Sequence, residues 1–90
     1  MEKRLIYMDN AATAFPKADG VAEACRRYLT REGVNIARGG YALAYEVGDI
    51  VLKTREKIAD MTGVKDPRRV IFTAGATMSL NMWIKGLLQA

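Results

Sequence analysis

Apolar residues recur at helical spacing in three stretches of the chain, separated by two short β-type runs and several loops of small residues. In residues 18–32, Val21, Ala22, Cys25, Tyr28 and Leu29 share one face, Asp19 suits the first turn and Gly33 the stop. A second helix is expected from around Glu46, where Val47, Ile50, Val51, Thr54, Ile58 and Met61 form a stripe. Lys53, Arg55, Glu56 and Lys57 occupy its remaining surface, and it ends near Gly63. The third helix is expected from Met78 onward, with Leu80, Trp83, Ile84, Leu87 and Leu88 on its apolar face and Gly86 as a weak point.

The intervening segments read differently. Residues 5–8 form a β-type run that ends in the turn formers Asp9 and Asn10, followed by a loop of small residues and Pro16. Residues 33–45 have no clean period and contain Asn35, Arg38 and the pair Gly39-Gly40, which predicts a loop that turns sharply or approaches something closely. Asp66-Pro67 predicts a turn, residues 70–72 a short buried strand, and residues 73–77 a second turn. The expected order is β-loop-α-loop-α-β-α, an α/β arrangement without repeats or an internal linker. The last helix has no stop signal before Ala90, as expected of a chain cut in mid-helix.

Ninety residues make one small domain or part of a larger one, and a folded chain of that length buries about 60–65% of its unfolded surface. Half of the residues are hydrophobic and 27% are charged, which places the chain among globular proteins. The net charge of +4 could favour an anion or nucleic acid, but the basic residues are spread along the chain and read more simply as solvated faces. Cys25 is the single cysteine, so no internal disulfide can form, and its apolar neighbours suit a packed free thiol. No run reaches the ~18 apolar residues of a membrane span, and no signal-type apolar region follows the N-terminus. The expectation is a cytoplasmic protein with no membrane partner.

The stretch FTAGATMSLN, residues 72–81, carries the candidate chemistry. A strand that feeds a small-residue turn and then a helix exposes backbone N–H groups at the positive end of the helix dipole, where an anion is favoured. Gly75 would let a ligand come close, Ala76 would not block it, and Thr77 would offer both its N–H and its hydroxyl. The alternative is that Thr73 or Thr77 only caps the helix. Neither GxGxxG nor GxxxxGK[ST] is present.

Four segments in order, YMDNAAT at residues 7–13, NIARGGY at 35–41, VLKTREKIADMTG at 51–63 and VIFTAGATMSLN at 70–81, resemble the class V aminotransferase and cysteine desulfurase branch of pyridoxal 5′-phosphate (PLP) enzymes. The resemblance spans nearly the whole chain. It implies the N-terminal fragment of a PLP-dependent transferase fold of the aspartate aminotransferase type. Residues 1–45 would be an N-terminal segment with pocket-lining loops, and residues 46–90 the start of the PLP-binding large domain.

The resemblance further implies that Gly75, Ala76 and Thr77 hold the PLP phosphate, that Asn10, Ala11 and Ala12 line the substrate side of the pocket, and that Arg38 lies beside the active site near a dimer interface. The implied parent is a homodimer that converts L-cysteine to alanine and an enzyme persulfide, with an unidentified sulfur acceptor and no nucleic acid. Two departures are visible: the chain has no histidine near Arg38, and Met78 stands where the family often has glutamate. The family's Schiff-base lysine, pyridine-pairing acid, ring-stacking group and nucleophilic cysteine all lie beyond the turn, so the chain alone is expected to be inactive. Lys85, off the apolar stripe of its helix, is expected to face solvent, and Asp9 to hold a turn. Two alternatives from other classes are a stand-alone anion- or nucleic-acid-binding module and an inactive fragment whose exposed helix face awaits cover.

Overall fold

A computed structural model describes residues 3–90. Three helices account for its regular structure: α1 (Val21–Arg27), α2 (Ala42–Thr62) and α3 (Ala76–Leu88). A π-helical turn, Tyr28–Glu32, continues α1 to Gly33, and a 3-10 turn, Pro67–Arg69, lies between α2 and α3. The helical expectation for residues 18–32 therefore holds from Val21 onward. Asp19 lies outside, because Gly20 occupies the entry position.

Helix α2 starts earlier than its stripe suggested. Tyr41 is extended at φ −133° and ψ 162°, and the helix-favouring Ala42-Leu43-Ala44 begins winding directly after it. The preceding loop makes the close approach foreseen at the glycine pair: a Cβ on Gly39 would sit 2.5 Å from the Ala44 Cβ and 3.0 Å from the Asn35 carbonyl. At the other end Gly63 adopts φ 73°, its N–H bonds the Asp60 carbonyl, and the Val64 N–H bonds the Ala59 carbonyl at 2.9 Å. This is a Schellman closure, which ends the helix by satisfying its last carbonyls.

The two strands are not formed among the described residues. Residues 5–8 and 70–72 are not paired, although Val70 keeps an extended conformation at φ −84° and ψ 115°. A strand requires a ladder partner for its N–H and C=O groups, and neither run has one here. The β-loop-α-loop-α-β-α order is thus corrected to a helical chain in which the β-type runs are unpaired. Burial changes the reading of residues 70–72 as well: Ile71 is 67% exposed.

The core is small. Ala44, Val47 and Ala59 are the buried hydrophobic residues, all on α2, and Val51, Arg55 and Ile58 are half-buried beside them. The buried stripe is rotated from the expected one, since Ile50 and Met61 face outward. The radius of gyration is 17.4 Å, against about 12 Å for a compact domain of this length. The accessible surface is 8476 Å², against about 5,200 Å² for a compact monomer of this mass. No residue of α1 or α3 is buried, and Cys25 is exposed, which corrects the expectation of a packed thiol: nothing among the described residues covers its helix face.

Gly63→Ala places a Cβ in the left-handed region and should cost about 1–2 kcal/mol. A lower urea midpoint at unchanged slope in the intact protein is the expected reading; an unchanged midpoint would show that this closure does not support α2.

Candidate functional site: a helix-start turn and two loops

The 3-10 turn begins where Asp66 accepts hydrogen bonds from the Arg68 N–H at 2.9 Å and from the Arg68 guanidinium at 2.9–3.1 Å. Pro67 follows at the first position of that turn, where a missing N–H costs nothing. The Arg68 side chain, and then its N–H, hold the Asp66 carboxyl below the usual carboxylate range.

The chain leaves this turn through Val70. One Arg55 Nη1 donates to the Val70 carbonyl, and the same guanidinium lies 4.8 Å from the centroid of the Phe72 ring. Arg55, assigned from its sequence pattern to a solvated face, is half-buried and links α2 to the segment that carries the turn. Arg26, Lys53 and Arg68 do conform to the solvated reading: each forms an exposed ion pair, with Glu23, Asp49 and Asp66 respectively.

Helix α3 starts at Ala76, two residues before its expected start, so Thr77 is its second residue. Gly75 is extended, with φ 168° and ψ 175°, and a Cβ there would meet nothing within 4 Å. The first backbone bond of the helix runs from the Ser79 N–H to the Gly75 carbonyl at 3.1 Å. The N–H groups of Ala76, Thr77 and Met78 therefore lack intrahelical acceptors, and no side chain caps them.

Neither capping alternative is realised. The Thr73 hydroxyl donates to the Gly75 carbonyl at 3.0 Å and is hydrogen-bonded to the Ser79 hydroxyl. Asn81 donates through Nδ2 to the Thr77 carbonyl at 2.8 Å. The turn is thus pinned from below while its N–H groups are left open.

This donor set fits a phosphate. Three unpaired N–H groups and the adjacent Thr77 hydroxyl lie at the positive end of a helix dipole, and no acidic residue stands in the first turn to compete. Met78, in the place often held by glutamate, adds no charge there.

Asn10, Ala11 and Ala12 belong to a self-bonded loop. The Asp9 carbonyl accepts from the Ala12 N–H at 3.1 Å and the Thr13 N–H at 3.3 Å, and Asn10 Oδ1 accepts from the Phe15 N–H at 3.1 Å. Asp9 holds the turn through its backbone. The Tyr7 hydroxyl donates to the Thr13 carbonyl at 2.8 Å, and its ring meets Phe15 edge-on with centroids 5.4 Å apart.

Arg38 lies in the exposed turn before Gly39 and forms no ion pair or side-chain hydrogen bond among the described residues. No hydrogen bond joins Asn10, Ala11, Ala12 or Arg38 to Gly75, Ala76 and Thr77. Each group is formed by local contacts. Lys85 is exposed.

A groove of about 510 Å³ runs on another side of α3, lined by Arg69, Ile71, Thr73, Ser79, Leu80, Met82 and Trp83. It is an open apolar channel along the unpaired residues 70–72, and Thr77 does not line it.

A strand-like segment, a glycine turn and a helix with an open N-terminus make up this part of the chain, and the sequence comparisons place the chain in a family. The chain matches the Aminotransferase class-V family model over residues 6–90 and belongs to that family. This bears out the resemblance seen in the four segments.

The relatives include a cysteine desulfurase IscS of Mannheimia succiniciproducens, 43% identical over 83 residues, covering 90% of this chain and 20% of that protein. A cysteine desulfurase IscS of Neisseria meningitidis is 40% identical over 84 residues, covering 93% of this chain and 20% of the relative. A probable cysteine desulfurase of a Synechocystis species is 32% identical over 78 residues, covering 87% and 18%. The chain spans about one fifth of the length of the curated relatives it matches. No solved structure matches it. The family supports the PLP-transferase fold.

The Asp66 carboxyl should titrate below an ordinary aspartate in an NMR pH series. Because its value is lowered in the folded turn, the stabilisation it gives is present above the ordinary carboxylate range and lost as pH falls through the lowered value. Arg68→Ala should move the titration back upward; no movement would remove Arg68 as the cause.

Proposed function

We propose that this chain is the N-terminal portion of a PLP-dependent cysteine desulfurase and that its Gly75, Ala76 and Thr77 supply part of the phosphate site. The observation that carries the reading is the open set of N–H groups on Ala76, Thr77 and Met78 beside a Thr77 hydroxyl that makes no hydrogen bond among the described residues. Its presence in an Aminotransferase class-V chain adds the choice of cofactor.

When bound, PLP supplies an electron sink for chemistry on an amino acid. The residues of this chain bind and orient it. Ala76 and Thr77 donate to phosphate oxygens, Gly75 leaves room for the approach, and the dipole of α3 favours the negative charge. Asn10, Ala11 and Ala12 form a wall on the substrate side. Arg38, exposed and without an ion pair among the described residues, meets the carboxylate of the amino acid or stands near it at a subunit boundary.

The names of the relatives point to L-cysteine as substrate. In the overall reaction the carbon–sulfur bond of cysteine is broken, the carbon skeleton leaves as alanine, and the sulfur remains on a cysteine thiol outside this chain as a persulfide. The lysine that binds the cofactor and the persulfide-forming cysteine belong to the remainder of the enzyme. The 90 residues alone do not turn over substrate. The complete enzyme is a cytoplasmic homodimer, with the loop of residues 33–45 facing the partner.

Loss of a charge-assisted hydrogen bond costs about 1.5–3 kcal/mol, so Thr77→Ala in the intact enzyme should weaken PLP binding by about 10- to 150-fold. A cofactor titration followed by absorbance or fluorescence checks this. Unchanged affinity would remove Thr77 from the site.

A further inference from the structure

We infer that Arg55 is a positioning residue for the phosphate turn, acting from α2 through Val70 and Phe72. The inference rests on the reading of Gly75, Ala76 and Thr77 as a phosphate site. Arg55 bridges fifteen residues of sequence to donate to the Val70 carbonyl, and its guanidinium covers the Phe72 ring at 4.8 Å. Those two contacts lie on the extended segment that enters the turn, five and three residues before Gly75. The segment has no ladder partner among the described residues, so a guanidinium that bonds its backbone and stacks on its side chain fixes both its height and its rotation.

The chemistry suits arginine in particular. A planar guanidinium can donate in its plane while its face rests on an aromatic ring, which a lysine ammonium cannot do at once. Arg55 forms no ion pair with a carboxylate among the described residues. From Phe72 the chain passes directly to Thr73, whose hydroxyl binds the Gly75 carbonyl and Ser79. Arg55 sets the segment and Thr73 sets the turn, so the N–H groups of Ala76 and Thr77 keep their direction before any ligand arrives.

The test uses the intact enzyme and compares affinity for PLP with affinity for pyridoxal, which lacks the phosphate. Arg55→Lys keeps the charge and the long stem, and Phe72→Leu removes the ring while leaving the carbonyl contact. Each should reduce the PLP-to-pyridoxal affinity ratio by about fivefold or more, with pyridoxal binding little changed. An unaltered ratio in both variants, or an equal loss for the two ligands, would overturn the positioning role, because general destabilisation weakens both alike. Thr77→Ala in the same assay separates the two claims. If it lowers the ratio and the Arg55 and Phe72 variants do not, the inference fails alone; if it leaves the ratio unchanged, the phosphate reading itself fails.

Discussion

The guanidinium of Arg55 reaches from α2 to the Val70 carbonyl and the Phe72 ring, and so ties α2 to the segment that leads into the Gly75 turn. On one side of it α2 carries the buried residues, Ala44, Val47 and Ala59, between a glycine loop and a Schellman closure. On the other, residues 70–75 lead to a helix with an open start and no buried residue. The donor bond to Val70 is partly buried, where such interactions are worth more than in open water.

The surface left outside these contacts is itself informative. Trp83 is 66% exposed and Leu88 81% exposed. Around α3, Met78, Leu80, Met82, Trp83, Ile84, Leu87 and Leu88 leave only a narrow polar edge. A helix apolar on nearly every side belongs inside a larger core, and exposed apolar patches of this extent call for cover. Membership of the Aminotransferase class-V family supplies the context: the chain matches a fifth of its relatives' length, and its β-type runs have the composition of strands without the partners.

Much of this was legible in the order of residues. The three helices, the stop at Gly63, the turn at Asp66-Pro67 and the close approach at Gly39 follow from periodicity, glycine and proline. The strands did not form because hydrogen-bond partners lie outside any local pattern. The buried face of α2 was misread because Ile50 and Met61 are more hydrophobic than Ala44 and Ala59, yet small residues allow the closer packing. Arg55 was missed for a related reason. Its charge placed it with Lys53 and Lys57, although its spacing from Val51 and Ile58 puts it on the buried register; that spacing was the available signal. For the site, the sequence pointed to residues 75–77; the Asn81 bond to the Thr77 carbonyl is a local i to i−4 contact that the spacing could have suggested, whereas the Thr73–Ser79 contact depends on how the turn folds.

The most direct measurement is a crystal structure of the intact enzyme with PLP bound. Phosphate oxygens are expected within about 2.7–3.2 Å of the Thr77 N–H nitrogen and hydroxyl, with Arg55 still on Val70 and Phe72. A phosphate held elsewhere, with Gly75, Ala76 and Thr77 turned away from it, would rule out this turn as the phosphate site.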